Sequence, residues 1–359
     1  MSAVGWKIGV EVEALAPRGA SRRDLADLVA KDVGGRVRRV FHPQSEPSLV
    51  PGTPVFESLT PGFLVERPGG EVVARFLDDL TLIDDLDRHA APKPGWWRVV
   101  GDDARWLRLC ARRADPEGEL PAALTAFAGL FGTEPAGGPG GTWRIADDAG
   151  AAIVLAAPLP GERERPCEIV TAPLSEDHEV KLERLLAPAR ALGFVAAAEG
   201  AVHLHFDGAP FTSARAIARI VAMHAAFGEA LRRTVGTNPR CRRLGPHEPA
   251  LRELVQTPGF TALPWDVARG RLLAVAPSKF VDLNLRNLVL ALATKHTLEV
   301  RTLPVWMDAA PIVDAMHLFE ALFRKYVLGE AEIPAAPVDD LRPVLAGLGL
   351  PDRAAARWG

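Results

Sequence analysis

Apolar and polar side chains alternate in the first segment of the chain. Ile8, Val10 and Val12 occupy every second position, and Glu11 and Glu13 take the positions between and after them. A period of two residues is typical of a β-strand that buries one face. We therefore predict an N-terminal strand that carries both glutamates on its polar face.

Helix-start signals and longer periodicities divide the rest of the chain. Ser21 precedes an acid at the third helical position, and Thr212 with Ser213 precedes the longest helical pattern. The predicted helices are residues 22–32, 121–131, 176–191, 214–234 and 309–327. The predicted strands are residues 63–66, 72–76, 142–145, 151–155, 167–171, 201–207, 279–285 and 297–303. Antiparallel-looking strands with helices between them favour an α+β fold.

The domain organisation is indicated by shifts in composition. A stretch rich in glycine and proline, residues 132–141, is the clearest loop or linker. The β-rich residues 41–141 are interpreted as an insertion or subdomain within one catalytic domain that covers residues 1–330. A tail rich in proline and alanine follows over residues 331–359. The insertion could serve as scaffold, shape substrate choice or contact a partner, and the sequence leaves these roles open.

Composition and charge exclude several classes of protein. The chain is 48% hydrophobic and 24% charged, as in ordinary globular proteins, and its net charge of −3 gives no general attraction to nucleic acid or anionic membranes. Its apolar runs are too short for a membrane span, and its N-terminus lacks a signal-peptide pattern. Three scattered cysteines without a C-x-x-C pair indicate neither a disulfide framework nor a zinc ribbon. We expect a cytoplasmic protein without nucleic-acid or membrane partners.

Four of the predicted strands carry ionisable side chains at spacing two. These side chains are Glu11 with Glu13, Glu168, His203 with His205 and Asp207, and Glu299 with Arg301. A buried carboxylate without a partner costs several kcal/mol, so acids on half-buried strands need an explanation. Converging polar faces would provide one, because Mg²⁺ prefers carboxylate oxygens and also binds phosphate. Each motif alone is equally compatible with a solvated sheet face or a cross-strand ion pair, so the inference depends on their conjunction.

Further polar groups lie beside these strands. Lys279, Asn284 and Arg286 lie on or next to the strand predicted over residues 279–285. Arg240 follows the longest helix in a predicted basic loop, where a guanidinium could bind a carboxylate or phosphate through two parallel hydrogen bonds. The alternative for this loop is a solvated basic surface.

Five segments occur in an order that carries a family resemblance. They are G-V-E-V-E at residues 9–13, C-E-I-V-T-A-P-L at 167–174, V-H-L-H-F-D at 202–207, V-D-L-N-L at 281–285 and L-E-V-R-T-L at 298–303. This series resembles the amidoligase family, a branch of the glutamine synthetase and glutamate–cysteine ligase superfamily. The resemblance implies a glutamine-synthetase-like fold, in which a curved antiparallel β-sheet packs against helices.

The resemblance also implies a function and a set of roles. It implies an ATP-dependent carboxylate–amine ligase that uses Mg²⁺, or Mn²⁺ in its place, and forms an amide through an acyl-phosphate intermediate. The implied metal ligands are Glu11, Glu13, Glu168, His203 and Glu299. Arg301 would stabilise the transferring phosphoryl group, and His205 would act beside it in catalysis, although the resemblance does not separate the roles of the two histidines. The implied nucleotide or substrate contacts are Lys279, Asn284, Asp207, Arg240 and Arg286.

One departure and two rival functions remain. The family usually has a serine shortly before the E-I-V strand, and residues 143–150 lack it, which puts substrate contacts there in doubt. A metal-dependent hydrolase could use His203, His205 and Asp207 as a Zn²⁺ site. A non-catalytic binding module on the same fold is the second rival. The acid and amine substrates, small molecules or peptides, and the oligomeric state stay open.

Overall fold

The computed structural model describes residues 4–47, 55–101, 103–159, 161–241, 243–293 and 295–359. Its strands are β1 (Ile8–Leu15), β2 (Arg36–Pro47), β3 (Val55–Glu66), β4 (Val72–Leu77), β5 (Trp97–Gly101), β6 (Ala136–Gly137), β7 (Trp143–Ala146), β8 (Ala152–Pro158), β9 (Pro166–Thr171), β10 (Val195–Ala196), β11 (Ala201–Asp207), β12 (Leu283–Asn284) and β13 (Thr297–Pro304). Its α-helices are α1 (Arg22–Asp32), α2 (Ala104–Arg113), α3 (Leu120–Ala128), α4 (His178–Ala191), α5 (Ala214–Val235), α6 (Pro249–Gln256), α7 (Trp265–Val275), α8 (Arg286–Leu290), α9 (Ala309–Leu322), α10 (Arg342–Ala346) and α11 (Asp352–Trp358). Among the described residues, none of these helices combines the length and apolar character needed to cross a membrane.

The chain divides into two compact units. The first unit comprises Met1–Val12, Pro173–Ala187 and Glu199–Gly359. The second comprises Glu13–Ala172 and Pro188–Ala198. Two of the segments begin at a proline, a residue that interrupts backbone hydrogen bonding and commonly marks a change of direction.

The first unit is built on an antiparallel sheet in the order β12-β13-β11-β1. Its longest helix, α5, begins where the Ser213 side chain accepts the backbone N–H of Ala216 and ends at Gly236, whose φ of 70° is left-handed. An aromatic core lies behind the sheet, where Phe206 of β11 packs edge-on against Phe323 with ring centroids 5.1 Å apart. Helices and an antiparallel sheet confirm the α+β class at this level.

The second unit also contains an antiparallel sheet, in the order β9-β4-β3-β5-β8-β7-β6, with β2 along β3. The strands predicted over residues 63–66 and 72–76 are confirmed within β3 and β4, which pair as a hairpin, and Ser21 with Asp24 forms the predicted capping box of α1. An apolar core that includes Leu59, Val99 and Phe127 fixes the sheet against α2 and α3. The predicted insertion, residues 41–141, lies within this unit.

A group of charged side chains is also buried in the second unit. Arg22 and Asp78 are fully buried and Arg163 is 6% exposed. Arg22 donates hydrogen bonds to the backbone oxygens of Arg163 at 2.8 Å, Pro166 at 3.1 Å and Pro61 at 3.0 Å, and Arg163 is paired with the Asp78 carboxylate. Burial lowers the pKa of Arg22 to about 10, although Asp78 opposes that change. Arg22 therefore stays charged at neutral pH and ties α1 to three backbone segments.

The strand predicted over residues 279–285 is too long. Only the two residues of β12 pair with β13. The backbone N–H of Phe280 donates to the hydroxyl of Ser278 at 2.9 Å, and that of Asp282 donates to the carbonyl of Gly245 at 3.0 Å. Since these donors are used by a turn and a loop, the regular pairing with β13 begins only at Leu283.

The C-terminal residues 331–359, expected as a tail, contain α10 and α11. Asp314 of α9 is 1% exposed and accepts hydrogen bonds from Nε of Arg353 and Nε of Arg357, both at 2.7 Å. The indole of Trp358 donates to the backbone oxygen of Asp314 at 3.1 Å. The last helix is therefore anchored to the first unit through one buried carboxylate.

Candidate active site

The register of the first unit's sheet brings the predicted side chains together. Glu11 of β1 lies opposite His203 of β11, and His205 lies opposite Glu299 of β13. On the other side of β13, Asn284 also lies opposite Glu299. Opposed residues of antiparallel strands have Cβ atoms about 4.5–5.5 Å apart, so this register alone gathers the five side chains.

A β-bulge interrupts β13 at this point. Val202 pairs with Leu303 and Leu204 pairs with Val300, so Arg301 and Thr302 together lie opposite one residue of β11. Bulges re-aim side chains and are frequent beside active sites. The bulged Arg301 donates its backbone N–H to the carbonyl of Asp282 at 2.9 Å.

The carboxylates and imidazoles are in contact and removed from water. Glu11 Oε1 lies 3.0 Å from His205 Nε2, and Glu11 Oε2 lies 3.3 Å from His203 Nδ1. Glu299 Oε1 lies 2.6 Å from Nη1 of Arg301, and its Oε2 accepts a 2.6 Å hydrogen bond from Asn284. These two acids and two histidines are between 4% and 7% exposed, so their charges interact in a medium of low polarity.

The protonation states follow from these contacts. Burial alone would raise the pKa of Glu11, but the charges of His205 and Lys295 hold it well below its ordinary value. Burial opposes ionisation of Glu299 too, and Arg301 with the two histidines holds its pKa well below the usual range. Burial, helped by Arg301, lowers the pKa of His203. At neutral pH both carboxylates are ionised and His203 is neutral.

The donor set fits a divalent cation. Glu11, His205 and Glu299 can each offer one ligand atom, and the three atoms lie within 4.8 Å of one another. Nε2 of His205 is buried and, although it lies 3.0 Å from Glu11 Oε1, makes no hydrogen bond of acceptable geometry within the described part of the chain, while its Nδ1 lies 3.3 Å from Thr297 Oγ1. A histidine whose second nitrogen is held by a neighbour typically uses the first as a metal ligand. The two carboxylates suit Mg²⁺ or Mn²⁺, and the imidazole would also suit Zn²⁺.

Lys295 belongs to this group and was not predicted. Its Nζ lies 2.9 Å from Glu11 Oε1, and 46% of its side chain is exposed. The residue lies between α8 and β13 in a segment without a periodic pattern, so nothing local in the sequence distinguishes it from a solvated lysine.

Asp282, a polar residue of the V-D-L-N-L segment, was given no role in the site by the sequence. Its buried carboxylate accepts hydrogen bonds from His224 at 2.9 Å, from Nε of Arg232 at 2.7 Å and from the backbone N–H of Gly245 at 2.9 Å. Burial would raise its pKa, but the hydrogen bonds of His224 and Arg232 lower it. Asp282 thus links α5 to the bulge at Arg301. His224 is a buried core histidine of α5 whose Nε2 is satisfied by Asp282.

The other predicted contacts lie in varied surroundings. Asp207 ends β11 and accepts the backbone N–H of Ala209 at 3.2 Å, and Arg286 is exposed at the start of α8. Lys279 is half-buried, with Nζ 5.2 Å from the ring centroid of Phe280, and Arg240 is exposed. Their nucleotide or substrate roles, like that of Asn284, stay predictions.

Glu13 and Glu168 belong to the second unit. Glu13 is 6% exposed on β1, and Glu168 is half-buried on β9, opposite Leu77 of β4. Burial raises the pKa of neighbouring Cys167, which is fully buried and belongs to the core. The metal-ligand roles of both glutamates stay predictions.

Comparison with known proteins adds one match. No curated protein and no solved structure matched the chain. A family model described as a putative amidoligase enzyme matches residues 5–323. This range contains the five sequence segments that carried the resemblance, and it holds Glu11, His203, His205 and Glu299. Since the match covers most of the chain, the chain belongs to the amidoligase family.

Proposed function

We propose that this protein is an ATP- and Mg²⁺-dependent ligase that joins a carboxylate to an amine, with Mn²⁺ able to replace Mg²⁺. Membership of the amidoligase family supports amide formation. The observation that carries the rest is the buried group of Glu11, His205 and Glu299, whose ligand atoms lie within 4.8 Å of one another. We also propose that the fold is glutamine-synthetase-like and that the protein acts in the cytoplasm.

The reaction would proceed in two steps. The substrate carboxylate takes the terminal phosphoryl group of ATP, which releases ADP and leaves an acyl phosphate. The amine then attacks the acyl carbon, phosphate leaves, and the nitrogen loses a proton as the amide forms. Phosphoryl transfer depends mainly on positioning and on neutralisation of oxygen charge, and a bound divalent cation supplies part of that neutralisation.

The chain's own residues have distinct tasks in this scheme. Glu11, His205 and Glu299 hold the cation, and Asn284 fixes the second oxygen of Glu299 by its 2.6 Å hydrogen bond. Arg301, aimed by the bulge, holds oxygens of the transferring phosphoryl group. His203, neutral at pH 7 and 3.3 Å from Glu11, orients that carboxylate.

The substrates are proposed only as a class. A glutamyl or similar α-amino-acid donor is suggested by analogy within the superfamily, which is weaker support than a contact in the site. The amine is a small molecule or a peptide.

The test is ADP release from ATP and Mg²⁺ with a panel of amino acids, peptides and amines. We expect ADP that requires both an acid and an amine, that is lost in Glu11→Gln, and that is retained in Glu253→Gln. Glu253 is an exposed glutamate of α6, so the control makes the same chemical change away from the site.

Other outcomes would favour the rivals. The thermal unfolding temperature should be measured with and without ATP and Mg²⁺ beside the panel. A protein that ATP and Mg²⁺ stabilise but that shows no turnover means that the panel lacks the substrate. A protein that releases no ADP and is not stabilised by ATP and Mg²⁺ would contradict the ligase. Metal-dependent cleavage of amides without ATP would then support the hydrolase, and its absence would support the binding module.

A further inference from the structure

Lys295 places a cation against one ligand residue of the candidate metal site. Its ammonium lies 2.9 Å from Glu11 Oε1, and the same oxygen lies 3.0 Å from Nε2 of His205. Glu11 is one of the three residues whose ligand atoms converge, so the ammonium contacts an oxygen that a divalent cation would need. A divalent ion at this oxygen would repel the ammonium, because like charges a few ångströms apart in a buried site interact strongly.

The side chain can leave without disturbing the backbone. The N–H of Lys295 donates to the carbonyl of Leu292 at 3.1 Å, and Arg269 holds the end of α8 through a 2.7 Å hydrogen bond to the carbonyl of Val289. The side chain is 46% exposed, whereas that of Glu11 is 9% exposed. A four-carbon stem with a hydrated ammonium at its end can therefore turn toward solvent while Glu11 stays in place.

We propose that Lys295 exchanges partners during binding. Its ammonium pairs with Glu11 in the metal-free protein, moves off when the divalent cation binds, and then contacts the phosphate groups of the nucleotide. Triphosphate oxygens are the strongest acceptors that arrive at the site in the proposed ligase reaction, and ammonium groups bind them as point charges. The last step rests on the proposed function; the first two require only metal binding.

The direct test is the reactivity of Lys295 toward an acylating reagent, read by peptide mass spectrometry. An ammonium held by a carboxylate is acylated slowly, because the reagent attacks the free amine. We expect labelling of Lys295 to rise about fivefold when Mn²⁺ is added to protein treated with chelator, the order expected for loss of a half-exposed ion pair. It should fall again when a non-hydrolysable ATP analogue is added. Exposed Lys7, just before β1, serves as the internal control and should stay constant.

A second measurement uses variants and Mn²⁺ titration in the absence of nucleotide. Lys295→Met should bind Mn²⁺ about fivefold more tightly than the wild type, because a competing cation is removed. It should bind the ATP analogue with Mn²⁺ about tenfold more weakly. Lys7→Met, which removes the same charge elsewhere, should change neither affinity.

The outcomes separate this inference from the proposed function. Unchanged or weaker Mn²⁺ binding by Lys295→Met, or labelling of Lys295 that does not respond to Mn²⁺, would overturn the exchange even in an active ligase. Mn²⁺-dependent release of Lys295 in a protein that neither forms ADP nor is stabilised by ATP and Mg²⁺ would support the exchange at Glu11 and contradict the ligase. Wild-type protein that binds no Mn²⁺ would overturn both.

Discussion

The two units each bury a group of charged side chains, and the groups are completed in opposite ways. In the second unit, the guanidinium groups of Arg22 and Arg163 surround Asp78. Several of their other N–H groups donate to backbone carbonyls, such as those of Pro61 at 3.0 Å and Leu82 at 2.8 Å, while Nε of each arginine makes no hydrogen bond within the described residues. This group is rich in donors, and backbone acceptors of the same unit satisfy several of them.

The group in the first unit is rich in lone pairs instead. The carboxylates of Glu11 and Glu299 and the Nε2 atom of His205 lie close together, and one of the two neighbouring cations is the half-exposed Lys295. Burial of charge is common to both groups, so burial alone does not identify a functional site. The difference lies in the partners, since backbone carbonyls hold the charges of the second unit, whereas in the first unit a half-exposed ammonium contacts a carboxylate that would hold the proposed cation.

The largest expected effect comes from a substitution in the buried charged group of the second unit. Arg22→Met should lower the free energy of unfolding by about 3–5 kcal/mol, because Asp78 would remain as a buried charge with one cation fewer. Urea unfolding at neutral pH measures this loss. Arg23→Met is the matched control, since Arg23 lies on the same helix in an exposed pair with Asp27 and its loss should cost at most about 1 kcal/mol. Equal effects in the two variants would refute the structural role of Arg22.

The next effect concerns the group in the first unit. Mn²⁺ at about a hundred times its dissociation constant should raise the free energy of unfolding by about 2.7 kcal/mol, because it binds the folded state alone. Glu299→Gln should lose this gain, and the exposed-site variant Glu253→Gln should keep it. Unfolding curves with and without Mn²⁺ give the comparison. A full gain in Glu299→Gln would show that the cation binds elsewhere.

The smallest expected effect is a dependence of stability on pH that arises in the first unit. Burial, with the charge of His224, lowers the pKa of His247 in the first unit to about 3. In the unfolded state the imidazole binds its proton near pH 6.5. The contribution of His247 to the free energy of unfolding is therefore complete above about that pH and is lost as the pH falls toward 3. The loss is roughly 2 kcal/mol between pH 6.5 and 5.0. Arg22, with a pKa of about 10, does not titrate in this window.

Urea unfolding across this pH range checks the prediction. His247→Gln should flatten the slope, and His89→Gln, at an exposed histidine of the second unit, should leave it unchanged. A slope that is the same in His247→Gln and wild type would assign the pH dependence to other groups.

Local patterns were sufficient for much of the fold. The alternation in β1 and β11 predicts strands that keep Glu11, His203 and His205 among buried apolar neighbours, and the structure has both strands. The capping box at Ser21 and the caps of α5 also depend only on residues within a few positions of each other. Such features are predictable because their physical cause is contained in one stretch of sequence.

The features that the sequence did not predict depend on pairing between residues far apart in the chain. The bulge at Arg301 and Thr302 exists only in the register of β13 against β11, and the place of Lys295 depends on β1. The alternating V-D-L-N-L segment has the pattern of a longer strand, yet the N–H of Asp282 is taken by Gly245 in a loop. No local pattern contains these partners, so sequence reasoning could not find them.

The separation of these partners along the chain has a consequence for synthesis. Glu11 and His203 are 192 residues apart, and Glu11 and Lys295 are 284 apart. At about 5–20 residues per second, β1 waits roughly 10–40 s on the ribosome before β11 exists to pair with it. During that time Ile8, Val10 and Val12 are open to pairing with other nascent chains. Glu11 and Glu13 would oppose such aggregation by like-charge repulsion, so the carboxylates of the site also protect the unfinished protein.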